Sequence, residues 1–284
     1  MEATEAMLRA PLASLYRRLG IEGISALLFL MAVCLMTLGA PWIATHDPLA
    51  VDVANVYAGT TSAHLLGTDA LGRDIFSRLV WGARTALLGP LAIVALSGAL
   101  AAVVALVAAW NRGMVDLVIG RVIDIQFAFP AILVALLVTA VFSSGFWPAV
   151  LALSIASVPH KTRLLRSALL RERSLPYIEA LEAHGMTGLR IGIHHLFPAV
   201  IPLFATQLIL SFGYATIELA AISFIGLGIQ APAPDWGLMI AQAQAGLIQG
   251  EFNEVLAAGG CIVAVVTAVT VIGDRLSGAA GRGR

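Results

Sequence analysis

Long apolar runs alternate along this chain with short polar stretches. A membrane-spanning helix needs about 20 mostly apolar residues, and the runs are of about that length. The pattern therefore predicts an all-α fold with six transmembrane helices. The predicted spans are 23–46, 85–111, 117–142, 147–165, 191–217 and 255–273. Only the third carries charges in its first turns, Arg121 and Asp124.

Turn-forming and helix-breaking residues divide these runs. Ser-Ser-Gly and Pro in FSSGFWP, residues 142–148, predict a tight turn between the third and fourth spans. Pro159 predicts a kink inside the fourth span, because proline cannot complete the helical hydrogen-bond ladder.

Basic residues predict the orientation of the spans, since cytoplasmic segments carry an excess of Lys and Arg. With both termini in the cytoplasm, only Arg73, Arg78 and Arg84 of the 17 basic residues lie outside, and Arg121 lies in the third span near its cytoplasmic end. The predicted segments are a cytoplasmic N-terminal segment, 1–22, a transmembrane domain, 23–276, a cytoplasmic segment between spans, 166–190, a cytoplasmic tail, 277–284, and two outer loops, 47–83 and 226–254.

Composition agrees with a membrane protein and excludes other classes. Hydrophobic residues make up 59% of the chain and charged residues 12%, well above the usual apolar share of about 45–50%. The net charge is zero, so no nucleic-acid partner is expected. Cys34 and Cys261 both fall in apolar runs and predict neither a disulfide framework nor a metal site. The first apolar run is too long for a signal peptide.

The polar stretch YIEALEAHGMTGLRIGIHHLFP, residues 177–198, interrupts the apolar pattern. Ser174 and Pro176 suit the start of a helix, and Gly185 suits its end. A short amphipathic helix is therefore predicted over Leu175–His184. Two interpretations stand open on pattern alone: a helix resting on lipid headgroups, or a docking helix for a protein partner.

Several motifs resemble one family of membrane proteins. EALEAHG, followed nine residues later by HLFP, resembles the EAA motif of ABC importer permeases, with Glu179, Ala180, Gly185 and Pro198 in the matching positions. Leu181, His195 and Phe197 depart from it. Four further segments resemble the dipeptide/oligopeptide/nickel branch: HLLGTDALGRDIFSRLVWGARTAL (64–87), RVIDIQFAFPAIL (121–133), ISFIGLGIQAPAPDWGLMI (222–240) and the closing IGDRL (272–276). In the last outer loop, EFNEVLAAGG (251–260) departs from the pattern of that branch.

The resemblance implies a permease subunit of an ATP-driven importer in a bacterial inner membrane. Its partners would be a second permease chain, two ATPase subunits and an extracytoplasmic binding protein, and the cargo would be short peptides or, alternatively, a nickel or metal chelate. The implied ATPase-coupling residues are Tyr177, Ile178, Glu179, Ala180, Leu181, Ala183 and Gly185. The chain lacks a Walker A loop, so ATP and Mg would be bound by the partner ATPases and no cofactor or catalytic residue is expected here.

Other charged and aromatic residues are assigned with open alternatives. Asp124 and Glu218 are candidates for the transport path, although Asp124 and Arg121, three residues apart, also suit a structural pair within one helix. Asp69, Arg73 and Asp74 are candidate contacts for the binding protein or, as we favour, a salt-linked fold of the loop. Asp235 and Trp236 are further candidates for the same contact, and Trp236 equally suits a membrane-interface anchor.

The adjacent histidines His194 and His195 are not predicted to form a metal site, and two rival classes of protein are disfavoured. His194 and His195 are adjacent and point about 100° apart on a helix, so no metal site is predicted there. A stand-alone secondary transporter is the rival class, but it would be expected to show internal repeats, and none is evident. An intramembrane hydrolase is disfavoured because no HExxH or GxSxG motif is present.

Overall fold

The structure is a computed structural model that describes residues 2–111, 113–142 and 144–281. Side chains are described for these residues except 2–18, 131, 140 and 278–281. Four parts of the sequence predictions therefore lie outside the described residues: the side chains of most of the predicted N-terminal segment, Arg112, Ser143 of the predicted tight turn and the end of the predicted tail.

Helices dominate the described part of the chain, which contains no strand. In chain order they are α1 (Glu2–Leu38), α2 (Ala40–Ile43), α3 (Ile75–Asn111), α4 (Gly113–Phe127), α5 (Ala131–Phe142), α6 (Phe146–Arg173), α7 (Pro176–Ala183), α8 (Gly188–Ile191), α9 (Phe197–Phe224), α10 (Trp236–Gln242), α11 (Gln244–Ile248) and α12 (Asn253–Gly281). A π-helical turn, Gly192–Leu196, joins α8 to α9, and a 3-10 turn, Val53–Asn55, lies in the first outer loop.

Four helical segments are long and apolar enough to cross a membrane. They are Leu19–Leu38, Ile75–Asn111, Gly188–Phe224 and Asn253–Ser277. The predicted third span is not one straight helix, because α4 and α5 are separate helices bent by 86° around a short break that contains Pro130. Counted as one broken span, this pair gives a fifth crossing, so the prediction of six remains unconfirmed.

The remaining predicted span, 147–165, lies within α6. Pro159 falls inside α6, as predicted. Basic residues fill the C-terminal half of this helix, namely Lys161, Arg163, Arg166, Arg171 and Arg173. For this reason α6, although 28 residues long, is less apolar than the other four.

Three apolar clusters hold the helices together. One joins α1, α3, α10 and α12 around Trp236 and Met239. A second joins α3, α5, α6 and α9 around Ile93 and Leu153. The third lies at the other end of α3 and α6 and takes in the polar stretch, with Ile178 and Ile191 at its centre. Alanines on α3 contribute to all three clusters, and small side chains of this kind let membrane helices approach closely.

Candidate functional site

The predicted cytoplasmic helix forms as α7, Pro176–Ala183, two residues shorter than expected. Pro176 occupies the first turn, as predicted, but the N-cap is Leu175 and not Ser174. The Ser174 hydroxyl instead donates to the Arg171 carbonyl at the end of α6, 2.7 Å away. Ser174 therefore caps the end of α6, and only Ser174 and the extended Leu175 lie between α6 and α7.

Gly185 ends α7 in the left-handed conformation that its position was predicted to require, with φ at 77°. The Gly185 N–H donates to the Glu182 carbonyl at 2.9 Å, and the Met186 N–H donates to the Leu181 carbonyl at 3.2 Å. This pair of bonds is a Schellman motif. Leu181 and Met186 also pack against the same apolar cluster, so the turn after α7 is fixed by both hydrogen bonds and packing.

Arg173 attaches this region to the end of α3. Its guanidinium donates to the Ala109 carbonyl at 2.7 Å and to the Trp110 carbonyl, and lies 4.2 Å from the centre of the Trp110 ring. It also pairs with Glu182 of α7 at 3.8 Å. Because the last carbonyls of a helix lack intrahelical partners, a cation there stabilises the helix end.

Gly188 keeps the segment after α7 close to the same Trp110. A β-carbon at Gly188 would lie 2.1 Å from the Trp110 ring. No side chain fits that gap, so α8 can pack on the end of α3 only with glycine at this position. Together Gly188 and Arg173 hold α7 against the ends of three long helices, α3, α6 and α9.

The burial pattern of α7 corrects one part of the predicted coupling set. Ile178 is 1% exposed and packs in the chain's own core, and Leu181 is half-buried against the same cluster. The apolar face of α7, which carries the implied coupling residues Ile178 and Leu181, is thus already covered by this chain. The surface left for a partner is the opposite face, formed by Tyr177, Glu179, Ala180, Ala183 and Gly185.

Tyr177 is held at the start of that exposed face. Its hydroxyl donates to Glu172 Oε1 at 2.8 Å. Burial and the adjacent Glu172 carboxylate raise the pKa of Tyr177 to about 12, so the phenol stays neutral and keeps donating at physiological pH.

At the opposite end of α3, the two outer loops fold together around buried charges. Asp69 Oδ2 accepts from Arg73 Nε at 2.7 Å and lies 3.5 Å from Arg78 Nε. Both arginines donate to Gln242 Oε1 at 3.0 Å, which links the first outer loop to α10. Asp69 and Arg73 are 1% and 3% exposed. The salt-linked fold is therefore the correct interpretation, and these side chains are not on the surface.

Asp235 and Trp236 fasten the second outer loop to α3. Asp235 caps α10 through the Leu238 N–H at 3.0 Å and accepts from the Thr85 hydroxyl at 3.0 Å. The Trp236 indole N–H donates to the Leu79 carbonyl at 2.9 Å. Burial raises the pKa of Asp235. Both side chains are buried in this chain, so Trp236 does not face the surface as an interface anchor would, and the binding-protein contact of the two residues stays a prediction.

Asp74 begins α3 and completes this outer assembly. Its Oδ2 accepts from the Ser77 N–H at 2.8 Å, the position of a helix N-cap bond, and its Oδ1 lies 3.0 Å from His64 Nδ1. Burial alone would raise the pKa of Asp74, but the hydrogen bonds from Ser77 and His64 and the nearby His46 outweigh it and lower that pKa. Asp74 is also buried in this chain, and its contact with a binding protein stays a prediction.

Asp124 has a different partner from the predicted one. It pairs with Arg163 of α6 at 2.7 Å, and no ion pair joins it to Arg121 among the described residues. A second, bidentate pair, Asp116–Arg166, also links α4 to α6. The two pairs line a cavity of about 390 Å³ between these helices, with Arg121 in its wall. Sequence alone missed Asp116 and Arg166 because they lie 50 residues apart.

Glu218 lies well inside α9, not at the outer end of a span, because α9 continues to Phe224. It interacts electrostatically with Lys161 of α6, the chain's only lysine. Lys161 is 4% exposed. Intramembrane charges of opposite sign usually occur in such pairs.

Comparison with known proteins identifies the family. Residues 101–279 match the family described as binding-protein-dependent transport system inner membrane component. The chain belongs to this family. It is thus a permease subunit of a binding-protein-dependent transport system and a multi-pass membrane protein, and as a permease it is no ATPase.

Individual relatives cover most of the chain. The dipeptide transport system permease protein DppC of Alkalihalophilus pseudofirmus is 36% identical over 89% of this chain and 83% of the relative. The di/tripeptide transport system permease protein DppC of Pseudomonas aeruginosa is 34% identical over 89% of this chain and 85% of the relative. A glutathione transport system permease protein, GsiD of Escherichia coli, is 32% identical over 94% and 89%.

Proposed function

We propose that this permease forms one half of the translocation pathway of an ATP-driven importer for short peptides. The observation that carries the proposal is α7: a rigid helix, capped at its C-terminal end and anchored to α3, with one face covered and the other open. Peptide cargo is supported by the dipeptide and di/tripeptide permeases among the relatives.

The mechanism we propose is alternating access driven from the open face of α7. Two partner ATPases, which would bind ATP and Mg, move α7 when they close. Because α7 follows α6 directly and is tied to α3 through Arg173, its displacement is transmitted to both of these long helices. A second permease chain supplies the other half of the pathway, and an extracytoplasmic binding protein delivers cargo to the outer loops.

We further propose six crossings, with both termini in the cytoplasm of a bacterial cell. The α4–α5 pair and α6 would supply two crossings beyond the four long apolar helices. An even number places both termini on one side, which agrees with the distribution of basic residues. Lys161 and Glu218 would then lie at membrane depth, where the attraction between their opposite charges reduces the cost of burying each one.

A bulky side chain on the open face of α7 tests the coupling role. We expect Ala180→Trp to abolish binding-protein-stimulated ATPase activity and uptake in the reconstituted complex, because the indole would separate the docking surfaces. The matched control is Ser167→Trp, which adds the same bulk to an exposed position of α6. Tagged chains are first purified, and mass spectrometry identifies what co-purifies.

The outcomes separate the rival function from the proposal. Co-purification of an ATPase and a second permease with the wild type, and loss of the ATPase with the Ala180→Trp variant only, support it. Uptake into liposomes by the chain alone, without ATP, would instead establish a secondary transporter. Competition of uptake by dipeptides, but not by a nickel chelate, supports the peptide cargo.

A further inference from the structure

Three side chains with metal-binding atoms meet at the outer end of α3. His46 follows α2, His64 lies in the first outer loop, and Asp74 immediately precedes α3. Their ligand atoms all lie within 4.8 Å of one another. The cluster lies outside the Asp69–Arg73–Arg78 ion pairs and takes no part in the proposed coupling to an ATPase.

Asp74 is the fixed member of the cluster. It is 3% exposed, and the Ser77 N–H holds its Oδ2 while His64 contacts its Oδ1. Its carboxylate is therefore held in one orientation before any ligand arrives. Preorganised carboxylates of this kind are common ligands of divalent cations.

The two histidines are arranged around that carboxylate. His64 Nδ1 lies 3.0 Å from Asp74 Oδ1, and His46 Nδ1 lies 4.0 Å from Asp74 Oδ2. The two rings stack with their centres 4.7 Å apart. A stacked pair with both rings protonated would repel, whereas two neutral imidazoles each offer a lone pair to a metal ion.

The spacing fits a tetrahedral site. With zinc–ligand bonds of about 2.0–2.1 Å, tetrahedral ligand atoms lie about 3.4 Å apart. The two histidine nitrogens lie 3.0 Å and 4.0 Å from different oxygens of the Asp74 carboxylate, and all the ligand atoms lie within 4.8 Å of one another. Small side-chain rotations would bring them to the tetrahedral spacing, and His46, whose side chain is 40% exposed, has the most room to rotate.

We propose that His46, His64 and Asp74 bind a divalent transition-metal ion such as zinc, with water in the fourth position. When zinc binds, any proton on the ligating nitrogen of each histidine is released to solvent or moves to the other ring nitrogen, so both imidazoles ligate in the neutral form. The bound ion would tie the segment after the first span to the first outer loop and to the start of α3. This differs from the cargo, because the ion would stay with the permease as a structural clamp.

Zinc titration of the purified, metal-stripped chain tests this site. Zinc is added in competition with a chromophoric chelator, and Co²⁺ is added separately to give the visible absorption of a tetrahedral site. We expect one zinc per chain, tetrahedral cobalt bands and a rise in the thermal midpoint with zinc, because a ligand that binds only the folded state stabilises it.

Variants make the result specific to the three residues. Since Asp74 also caps α3, the decisive substitutions are His46→Ala and His64→Gln, each expected to weaken zinc binding at least tenfold and remove the cobalt bands. His194→Ala, an exposed histidine elsewhere, is the matched control and should bind as the wild type does. No zinc bound by the wild type, or unchanged binding by both decisive variants, would overturn the proposal and leave a hydrogen-bonded Asp–His network.

Discussion

Trp236 shows how single residues of the outer loops stabilise the permease. It is 1% exposed, its indole N–H bonds the Leu79 carbonyl, and its ring packs where α3 presents Gly82. The loop that carries Trp236 is held to the long helix by this side chain, by the neighbouring Asp235 and by the hydrogen bond from Arg78 to Gln242. Its loss should therefore affect stability before it affects any contact with a partner.

We predict that Trp236→Ala destabilises the chain by about 3–5 kcal/mol, the usual cost of removing a buried aromatic side chain. Trp236→Phe keeps a ring but loses the hydrogen bond and should cost about 1 kcal/mol for that bond. Thermal midpoints in detergent measure both. Trp42→Ala is the control, since Trp42 is 85% exposed, and an equal loss of stability in that variant would contradict the assigned role of Trp236.

Residue contacts were predictable from the sequence only over short separations. The salt-linked loop was anticipated because Asp69, Arg73 and Asp74 lie within six residues of one another. The partner of Asp124 was not, since Arg163 lies 39 residues away and only the packing of α4 on α6 brings them together. His46 and His64 were missed for the same reason: their approach depends on how the outer loop folds over the start of α3.

At the scale of elements, the turn that ends α7 determines the path of the chain after this helix. The Schellman turn at Gly185 directs the chain into α8, and α8 in turn packs on Trp110 at the end of α3. Nothing lies within 4 Å of a β-carbon at Gly185. A substitution there would therefore act through backbone conformation and not through a steric clash.

We predict that Gly185→Val lowers binding-protein-stimulated ATPase activity and uptake at least several-fold while the chain still reaches the membrane. A β-branched residue in the left-handed region costs roughly 1–2 kcal/mol or more, which would redirect the turn after α7. Gly185→Asn should retain most activity, because asparagine tolerates this conformation.

Gly250→Val is the matched control for this prediction. Gly250 also has a positive φ, 86°, and open space around a β-carbon, but it lies in the second outer loop. It should show a similar backbone penalty without loss of coupling to the ATPase. Wild-type transport by a well-expressed Gly185→Val variant would remove the coupling assignment of α7.

The helices themselves were largely predictable, since long apolar runs leave few alternatives. The sequence predictions were wrong where an apolar stretch did not have the geometry or the neighbours that its composition suggested. Residues 117–142 are apolar enough for a span, but the helix breaks around Pro130 and the two parts diverge by 86°. The apolar face of α7 was correctly expected, but its partner was not, because the sequence does not reveal that Ile178 packs into the third cluster of the same chain.

At the scale of the whole molecule, α3 connects the predicted outer loops at one of its ends with α7 at the other. A helix of 37 residues is about 55 Å long, which exceeds a hydrocarbon core of about 30 Å. One end of α3 therefore lies with the outer loops and the other with α7. Its two ends are fixed by polar contacts, Asp74 and Arg78 at the start and Arg173 at the finish. In the proposed mechanism, a movement of α7 would therefore be carried along one continuous helix to the predicted outer loops.

The number of crossings decides whether this arrangement is correct, and labelling of single cysteines tests it. Cys34 and Cys261 are first replaced by alanine, and one cysteine is introduced at Thr61, in the first outer loop, or at Ala183, at the end of α7. With six crossings and cytoplasmic termini, a membrane-impermeant maleimide should label the Thr61→Cys variant in intact cells, and the Ala183→Cys variant only after the membrane is opened.

A third position separates six crossings from five. Gly281 ends α12, and a cysteine placed there should behave like the Ala183→Cys variant if α12 returns to the cytoplasm. Labelling of the Gly281→Cys variant in intact cells would put the C-terminal end outside. In that case either α6 or the α4–α5 pair would not cross the membrane. Because α9 and α12 together make two crossings, the Ala183→Cys variant would then be labelled in intact cells as well, and the basic end of α6 would also lie outside.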